Sequence, residues 1–436
     1  MTRSPAAARS TSVYGWYVVF VCTAAYVLSF VDRQILSLLI GPIKADLGIS
    51  DTAFALLHGF AFSLFYATLG IPVAGLSDRT SRPGVISAGI AVWSLATAAC
   101  GLAASFAGLF AARIMVGAGE AALSPASYAL INDLFPRERL GRAIGVYSLG
   151  SFFGAGLAFL AGGAVIAAVS GHGGLAIGPL HLRVWQACFI LVGLPGMALA
   201  ALVALTVRDP HRRTGEPVPG LGAVLTFLMR LRAIFGPHIF GYVMSGWALF
   251  ATLAWAPAVL TRGYGFGTAD AGFWLGLNAI FAGGGGAYAS GWLLDRLARA
   301  GRADTTFLVG IVGGLGSAVS AILLALASRP VAGVLAMACL QFFSSFPITP
   351  SSALTQMVAP RTMRARISAL LICGTGLIGA GLGTLLVGLL NDHLFTAPGG
   401  VVFSLAMIAG LGGAISAAIL AAGCRPMRAW ALAAGR

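Results

Sequence analysis

The sequence predicts an all-α integral membrane protein, with about twelve transmembrane helices in two pseudo-symmetric six-helix bundles. Three observations carry this: the composition, the spacing of the apolar runs, and an echo between the two halves of the chain. Of 436 residues, 58% are hydrophobic and only 9% are charged, against roughly 25% charged in a soluble domain. A soluble chain this apolar could not cover its own surface, and the solvent that suits it is a lipid bilayer. The 60 glycines agree, because glycine lets membrane helices approach closely.

A membrane helix needs about 20 mostly apolar residues. Such runs lie near 14–40, 52–76, 84–104, 107–133, 141–169, 184–207, 236–261, 269–294, 305–328, 331–357, 364–390 and 400–424. The longest polar stretch, Arg208 to Arg232, contains Pro210, Pro217 and Pro219 and divides the chain into a bundle over 1–207, a linker over 208–235 and a bundle over 236–436. Within it, Leu221–Arg232 has the pattern of a short amphipathic helix lying on a membrane surface.

The net charge of +14 would point to nucleic acid in a soluble protein. Here the arginines occupy short gaps between apolar runs, and no basic loop is interleaved with aromatics, so topology explains them. If the N-terminus is cytoplasmic, Lys44, Arg183, Arg262 and Arg329 fall on the far side, Arg33 and Arg113 fall inside spans, and the other twenty-one of the 27 basic residues fall in the cytoplasm. That bias places both termini inside. The first apolar run is long enough to span and reads as an uncleaved anchor. The six cysteines lie within apolar runs without CxxC or His/Cys clustering, as small buried hydrophobes rather than disulfides or metal ligands. No cofactor or metal is expected.

The halves repeat in their loops. Gly75-Leu-Ser-Asp78-Arg79 after the second span is answered by Gly291-Trp-Leu-Leu-Asp295-Arg296 after the eighth. Ser124-Pro125 leading to Pro136 and Arg142 is answered by Thr349-Pro350 leading to Pro360 and Arg366. Tandem halves suit a transporter with its site at their interface. With these motifs the chain resembles the major facilitator superfamily over nearly its whole length. The stretch Gly75-Leu-Ser-Asp78-Arg79-Thr-Ser-Arg82 resembles that family's loop signature, with the usual Gly-Arg-Lys ending altered to Ser-Arg-Pro. A narrower resemblance is to the Spinster, sphingolipid-transporter-like branch, carried by Phe30-Val-Asp32-Arg33-Gln-Ile-Leu, Leu47-Gly-Ile-Ser-Asp51 and Arg113-Ile-Met-Val-Gly117-Ala-Gly119-Glu120 through Pro125. Related anion-transporter branches share parts of it. The family resemblance implies a gating role for Gly75, Asp78, Arg79 and Arg82, and more weakly for Asp295 and Arg296, whose Asp-Arg loops would brace one half against the other. Their plainer role is as topology charges with a helix cap.

Four ionisable residues fall well inside spans: Asp32, Arg33, Arg113 and Glu120. Each costs about 2.5 to 3.5 kcal/mol on insertion scales. Asp32 and Arg113 both lie roughly 10 Å below the far surface at 1.5 Å per residue, close enough to pair if their helices adjoin. Glu120, two turns beyond Arg113, shares its helix face. Burial raises a carboxyl pKa and a neighbouring guanidinium lowers it, so competition from an anionic substrate would change proton affinity. Asp32 is the expected proton carrier and Glu120 the second, with Arg33 and Arg113 as charge partners for the substrate. The competing role is a static ion-pair cluster. Further polar groups in spans are candidates for a cavity: His58, Tyr66, Tyr128, Trp247, Trp255, Asn278 and Gln341. Packing or interfacial anchoring serves each of them equally well.

The expected function is proton-coupled secondary transport by alternating access, of an anionic amphiphile such as a lysolipid or sphingolipid-like molecule, by a monomer in a bacterial inner membrane. The nearly charge-free spans of the second half favour a substrate with a hydrocarbon tail. Symport of small organic anions and efflux of hydrophobic drugs are the alternatives. No span carries the His/Asp metal set or the Ser-His pair of a membrane enzyme, and membrane lipid, substrate and protons are the expected partners.

Overall fold

The structure is a computed structural model describing residues 5–170, 175–177, 180–209, 220–360 and 362–433. Among the described residues, eleven helices are long and apolar enough to cross a membrane, from Val13–Leu38 to Gly400–Ala433. The eighth run, expected near 269–294, is helical throughout as Thr268–Leu277, Asn278–Gly283 and Gly284–Arg299. Its glycines at 283–286 and its charges at Asp295, Arg296 and Arg299 dilute its apolar character. The architecture is thus the helical one expected. The one departure among the described residues is a short antiparallel pair, Leu175–Ile177 with Leu180–Leu182, between the fifth and sixth spans.

Breaks within spans have local causes. The fourth span, Phe106–Leu134, is two helices, Phe106–Glu120 and Leu123–Leu134. Pro125 has no N–H for the carbonyl four residues back, at Ala121, and its ring crowds that turn. The tenth repeats the device, breaking between Pro330–Ser344 and Ile348–Val358 around Pro347 and Pro350. Among the described residues, four π-helical stretches, Leu56–Phe60, Val259–Gly263, Asn278–Gly283 and Thr375–Leu382, interrupt other spans. Such turns recur at functional sites.

The chain forms two compact units. The first comprises the residues up to Leu47 with Leu64–Gly215, the second Gly48–Ser63 with Glu216–Arg436. The first half of the second span therefore packs with helices that follow it by 211 to 341 residues. Gly59 permits this: a Cβ there would come within 2.7 Å of the Ala380 carbonyl oxygen and 3.2 Å of Thr384. The contact brings the π turns of the second and eleventh spans together. The expected linker helix is present as Leu221–Arg230, packed on the second unit through Val224. Residues 210–219 of the expected linker lie outside the described residues. The cysteines are all free, and Cys22, Cys100, Cys188 and Cys424 are buried as expected. Cys339 is exposed and Cys373 partly so, which corrects the expectation of burial: an apolar run in a bilayer has a lipid-facing side, and its pattern does not say which residues face it.

Candidate functional site

In the first unit, the first, third and fourth spans assemble the charged residues. The first span runs Val13–Leu38 and carries Ser29, Asp32 and Arg33. The fourth begins at Ser105, whose hydroxyl accepts the Gly108 N–H at 3.2 Å. Its first helix ends on Glu120, at the break described above. Asp32, Arg113 and Glu120 are buried, at 1–2% exposure.

The close ion pair is Arg33 with Glu120. Arg33 Nη2 lies 2.5 Å and Nε 2.7 Å from Glu120 Oε2. The Ser29 hydroxyl donates to the same oxygen at 2.6 Å. Glu120 Oε1 accepts no hydrogen bond among the described residues. The guanidinium also lies over two rings, 5.0 Å from Phe30 and 4.9 Å from Tyr66, where ring quadrupoles attract it. The Asp32 carboxylate accepts from Thr97 Oγ1 at 3.1 Å, and Arg113 Nη1 reaches the Asp32 main-chain carbonyl at 3.4 Å. The four charges expected inside the membrane thus meet, with a refinement. Arg33 couples to Glu120 rather than to its sequence neighbour Asp32, because successive helical residues point some 100° apart.

Glycine sets the depth of Glu120. Gly119 packs against the third span so closely that a Cβ would sit 2.6 Å from the Trp93 nitrogen and 2.9 Å from the Gly89 carbonyl. The change Gly119→Ala is expected to cost about 1–3 kcal/mol through overpacking and to move Glu120 off Arg33. Thermal unfolding in detergent, compared with Gly117→Ala two residues earlier on another face of the helix, checks this.

Tyr128, a cavity candidate, belongs to an aromatic set whose other members, Tyr26 and Tyr147, were not singled out. Its ring meets Tyr147 edge-on at 5.1 Å, Tyr147 stacks on Tyr26 at 4.7 Å, and the Ser124 and Tyr147 hydroxyls lie 3.2 Å apart. Tyr26 and Tyr147 sit in apolar runs where an aromatic ordinarily signals packing.

The other cavity candidates divide. His58 lies in the π turn of the second span and Asn278 in that of the eighth, both partly exposed. Trp247 donates to the Ile378 carbonyl at 2.9 Å. Trp255 is fully buried, donating to the Thr384 carbonyl at 3.1 Å and packing edge-on with Phe54 at 5.9 Å. Gln341 is buried beside Ser345. Trp255 and Gln341 are therefore packing residues here, which corrects their placement in a cavity. The cavity of about 590 Å³ in the second unit, lined by Tyr264, Phe395 and Phe403 among others, touches none of the candidates.

Of the loop residues, Gly75 is exposed, and the side chains of Asp78 and Arg79 lie outside the described residues. Arg82 ties the end of the fourth span to the segment after the sixth, 2.5 Å from Asp133 and 3.8 Å from Asp209. Asp295 and Arg296 are exposed, the latter over Trp292 at 5.2 Å. The buried acid of that region is Asp304, held by Arg302 at 3.1 Å and Arg428 at 3.5 Å. Sequence reasoning passed over it because it lies beyond the repeated motif.

It also passed over a cluster in the second unit. Asp51, buried at the start of the second span, takes Arg262 Nη1 on both oxygens at 2.8 and 3.0 Å and Asn391 Nδ2 at 2.9 Å. Asp392 accepts the Asp51 and Thr52 N–H groups at 3.1 and 2.8 Å. The available signal was the Ser50 cap, whose hydroxyl accepts from Ala53 N–H at 3.1 Å, followed by an acid where a helix N-terminus favours negative charge.

Comparison with known proteins shows the family. Residues 22–384 match the Major Facilitator Superfamily. An MFS-type efflux pump of Mycolicibacterium smegmatis is 29% identical over 389 residues, 87% of this chain and 85% of that protein. The hexuronate transporter of Bacillus subtilis is 27% identical over 251 residues, 56% of either chain. In fold, the chain resembles a bacterial homologue of the human lysosomal transporter Spinster, solved in an inward-facing, unoccupied conformation, with a TM-score of 0.75, 23% identity and coverage of 95% of this chain and 96% of that one.

Proposed function

Because this chain belongs to the major facilitator superfamily, and is a multi-pass membrane transporter rather than an enzyme, we propose that it carries an anionic amphiphile by proton-coupled alternating access. In this reading it lies in a bacterial inner membrane with both termini in the cytoplasm, as the arginine bias requires. The observation that carries it is the buried Arg33–Glu120 pair beside Asp32 and Arg113. Intramembrane ionisable groups are costly and mark substrate or proton paths.

The chemistry follows from the partners. Glu120 already has a guanidinium and a hydroxyl on one oxygen. The Asp32 carboxylate has a neutral donor in Thr97. Asp32 is thus the acid that carries the proton. An arriving anion competes with Glu120 for Arg33, and a proton on Glu120 releases that arginine to the anion. Phe30 and Tyr66 flank the same guanidinium and give a hydrocarbon chain an apolar surface next to the charge.

The hexuronate transporter among the relatives favours a second reading, a small organic anion on the same arginines. The full chain in liposomes under an imposed pH gradient tests both. Proton-driven uptake of a lysophospholipid, unaffected by excess hexuronate, is the expected result. Uptake of hexuronate displaced by no amphiphile selects the second reading, and uptake of neither under any gradient rejects both.

A further inference from the structure

The helix Leu221–Arg230 has three faces, and its packing accounts for only one of them. Val224 is buried, and Phe227, Leu228 and Leu231 pack with it against Ile234, Phe235 and neighbours of the second unit. Beside that face, Leu221, Leu225 and Met229 are 52%, 48% and 63% exposed. They are four residues apart and so lie one above another. The third face carries Gly222, Thr226 and Arg230, all exposed. A helix lying only against protein and water has no use for the second face.

Its position indicates what covers that face. Leu231 alone joins the helix to the seventh span, Arg232–Gly263, which has 32 residues. At 1.5 Å per residue that span is roughly 48 Å long, well over the ~30 Å hydrocarbon core. Its first turn therefore emerges at headgroup depth. Phe240, two turns further in, is also a large apolar side chain left 64% exposed, as a span facing lipid requires. Arg230 and Arg232 are exposed at the junction, and the sequence has no acidic residue between Glu216 and Asp270.

We propose that this helix is an interfacial anchor, with Leu221, Leu225 and Met229 in the acyl boundary of the leaflet and Arg230 and Arg232 on anionic lipid headgroups. The physical requirements are those of any interfacial helix: an apolar face for the acyl boundary and cations for anionic phosphates. The first helix of the second unit is then held at a fixed depth, and its position depends on the charge of the surrounding lipid. The proposal is independent of which solute the protein carries.

The test uses the full chain in vesicles of phosphatidylcholine with or without phosphatidylglycerol. Single cysteines replace residues 221, 222, 225, 226 and 229 in turn, in a background where the accessible Cys339 and Cys373 are serine, and each carries a spin label. Labels at 221, 225 and 229 are expected to collide mainly with oxygen, and labels at 222 and 226 mainly with a water-soluble nickel chelate. Phosphatidylglycerol is expected to deepen the first group. Removing the charges with Arg230→Gln and Arg232→Gln should abolish that deepening while leaving the phosphatidylcholine result unchanged, each arginine being worth about fivefold in lipid preference. Equal nickel access at all five positions, or a depth indifferent to lipid charge, overturns the proposal.

Discussion

Asp32→Asn is expected to abolish concentrative uptake while leaving exchange intact. A proton moving down one pH unit releases ~1.4 kcal/mol, enough for about tenfold accumulation if one proton accompanies each solute. The wild-type protein should therefore accumulate its solute in proportion to the gradient, and Asp32→Asn should bring the ratio to about one at every gradient. Exchange of labelled for unlabelled solute, which needs no net proton movement, should persist and become independent of pH. The amide keeps the shape and a hydrogen bond to Thr97 Oγ1, now 3.1 Å away, so folding should change little. Glu120→Gln is the contrast. It leaves Arg33, packed between Phe30 and Tyr66, without its carboxylate. Removing one partner of a buried pair costs about 3–5 kcal/mol, so this variant should lose stability as well as transport. Adding Arg33→Gln should restore stability in part and transport not at all. Undiminished accumulation in Asp32→Asn would transfer the proton to another group.

The helical architecture and the buried charges were legible in the sequence for the same reason. Water is absent from the bilayer core, so every span must be apolar for about 20 residues and every exception stands out. Asp32, Arg33, Arg113 and Glu120 were such exceptions, and they do meet in the first unit. Their pairing was not legible, because the choice of Glu120 by Arg33 depends on the rotation of the fourth span, set by Gly89 and Gly119 where it crosses the third. The candidates identified only by polarity fared unevenly. Trp255 and Gln341 are packed away, since a polar atom on an apolar ring or chain is satisfied by a single carbonyl or hydroxyl nearby. The division of the chain was least legible. Nothing local in residues 48–63 tells that they pack with the second unit; their partners, Arg262, Asn391 and Asp392, lie more than 200 residues away.

Those partners carry the second large effect, in which Arg262→Ala is expected to loosen residues 48–63 without disturbing the first unit. Asp51 has 6% and Arg262 23% of its side chain exposed, so the loss should be somewhat below that of a fully buried pair, about 2–3 kcal/mol. At 1.4 kcal/mol per tenfold, amide exchange across 48–63 should accelerate by roughly 30- to 140-fold, because exchange reports the free energy of local opening. Amides of the third span, Arg82–Cys100, should be unaffected. Asp51→Asn should do less, since Asn391 and Arg262 lose a charge partner but no buried anion is left behind. Arg262→Ala with Asp51→Asn should be milder than Arg262→Ala alone, because the penalty of the single change is largely that of a stranded carboxylate. The helix containing Asp51 continues past Ser63 into the first unit, so this cluster holds one half of a continuous helix to one unit while the other half belongs to the other. In the proposed alternating-access cycle, the π turn at Leu56–Phe60 with its Gly59 crossing is where this helix would yield. Arg262→Ala should therefore also change the transport rate in the liposome assay with accumulation per pH unit unchanged, separating this cluster from Asp32. Unaltered exchange across 48–63 would show that packing against the eleventh span holds the segment without the ion pair.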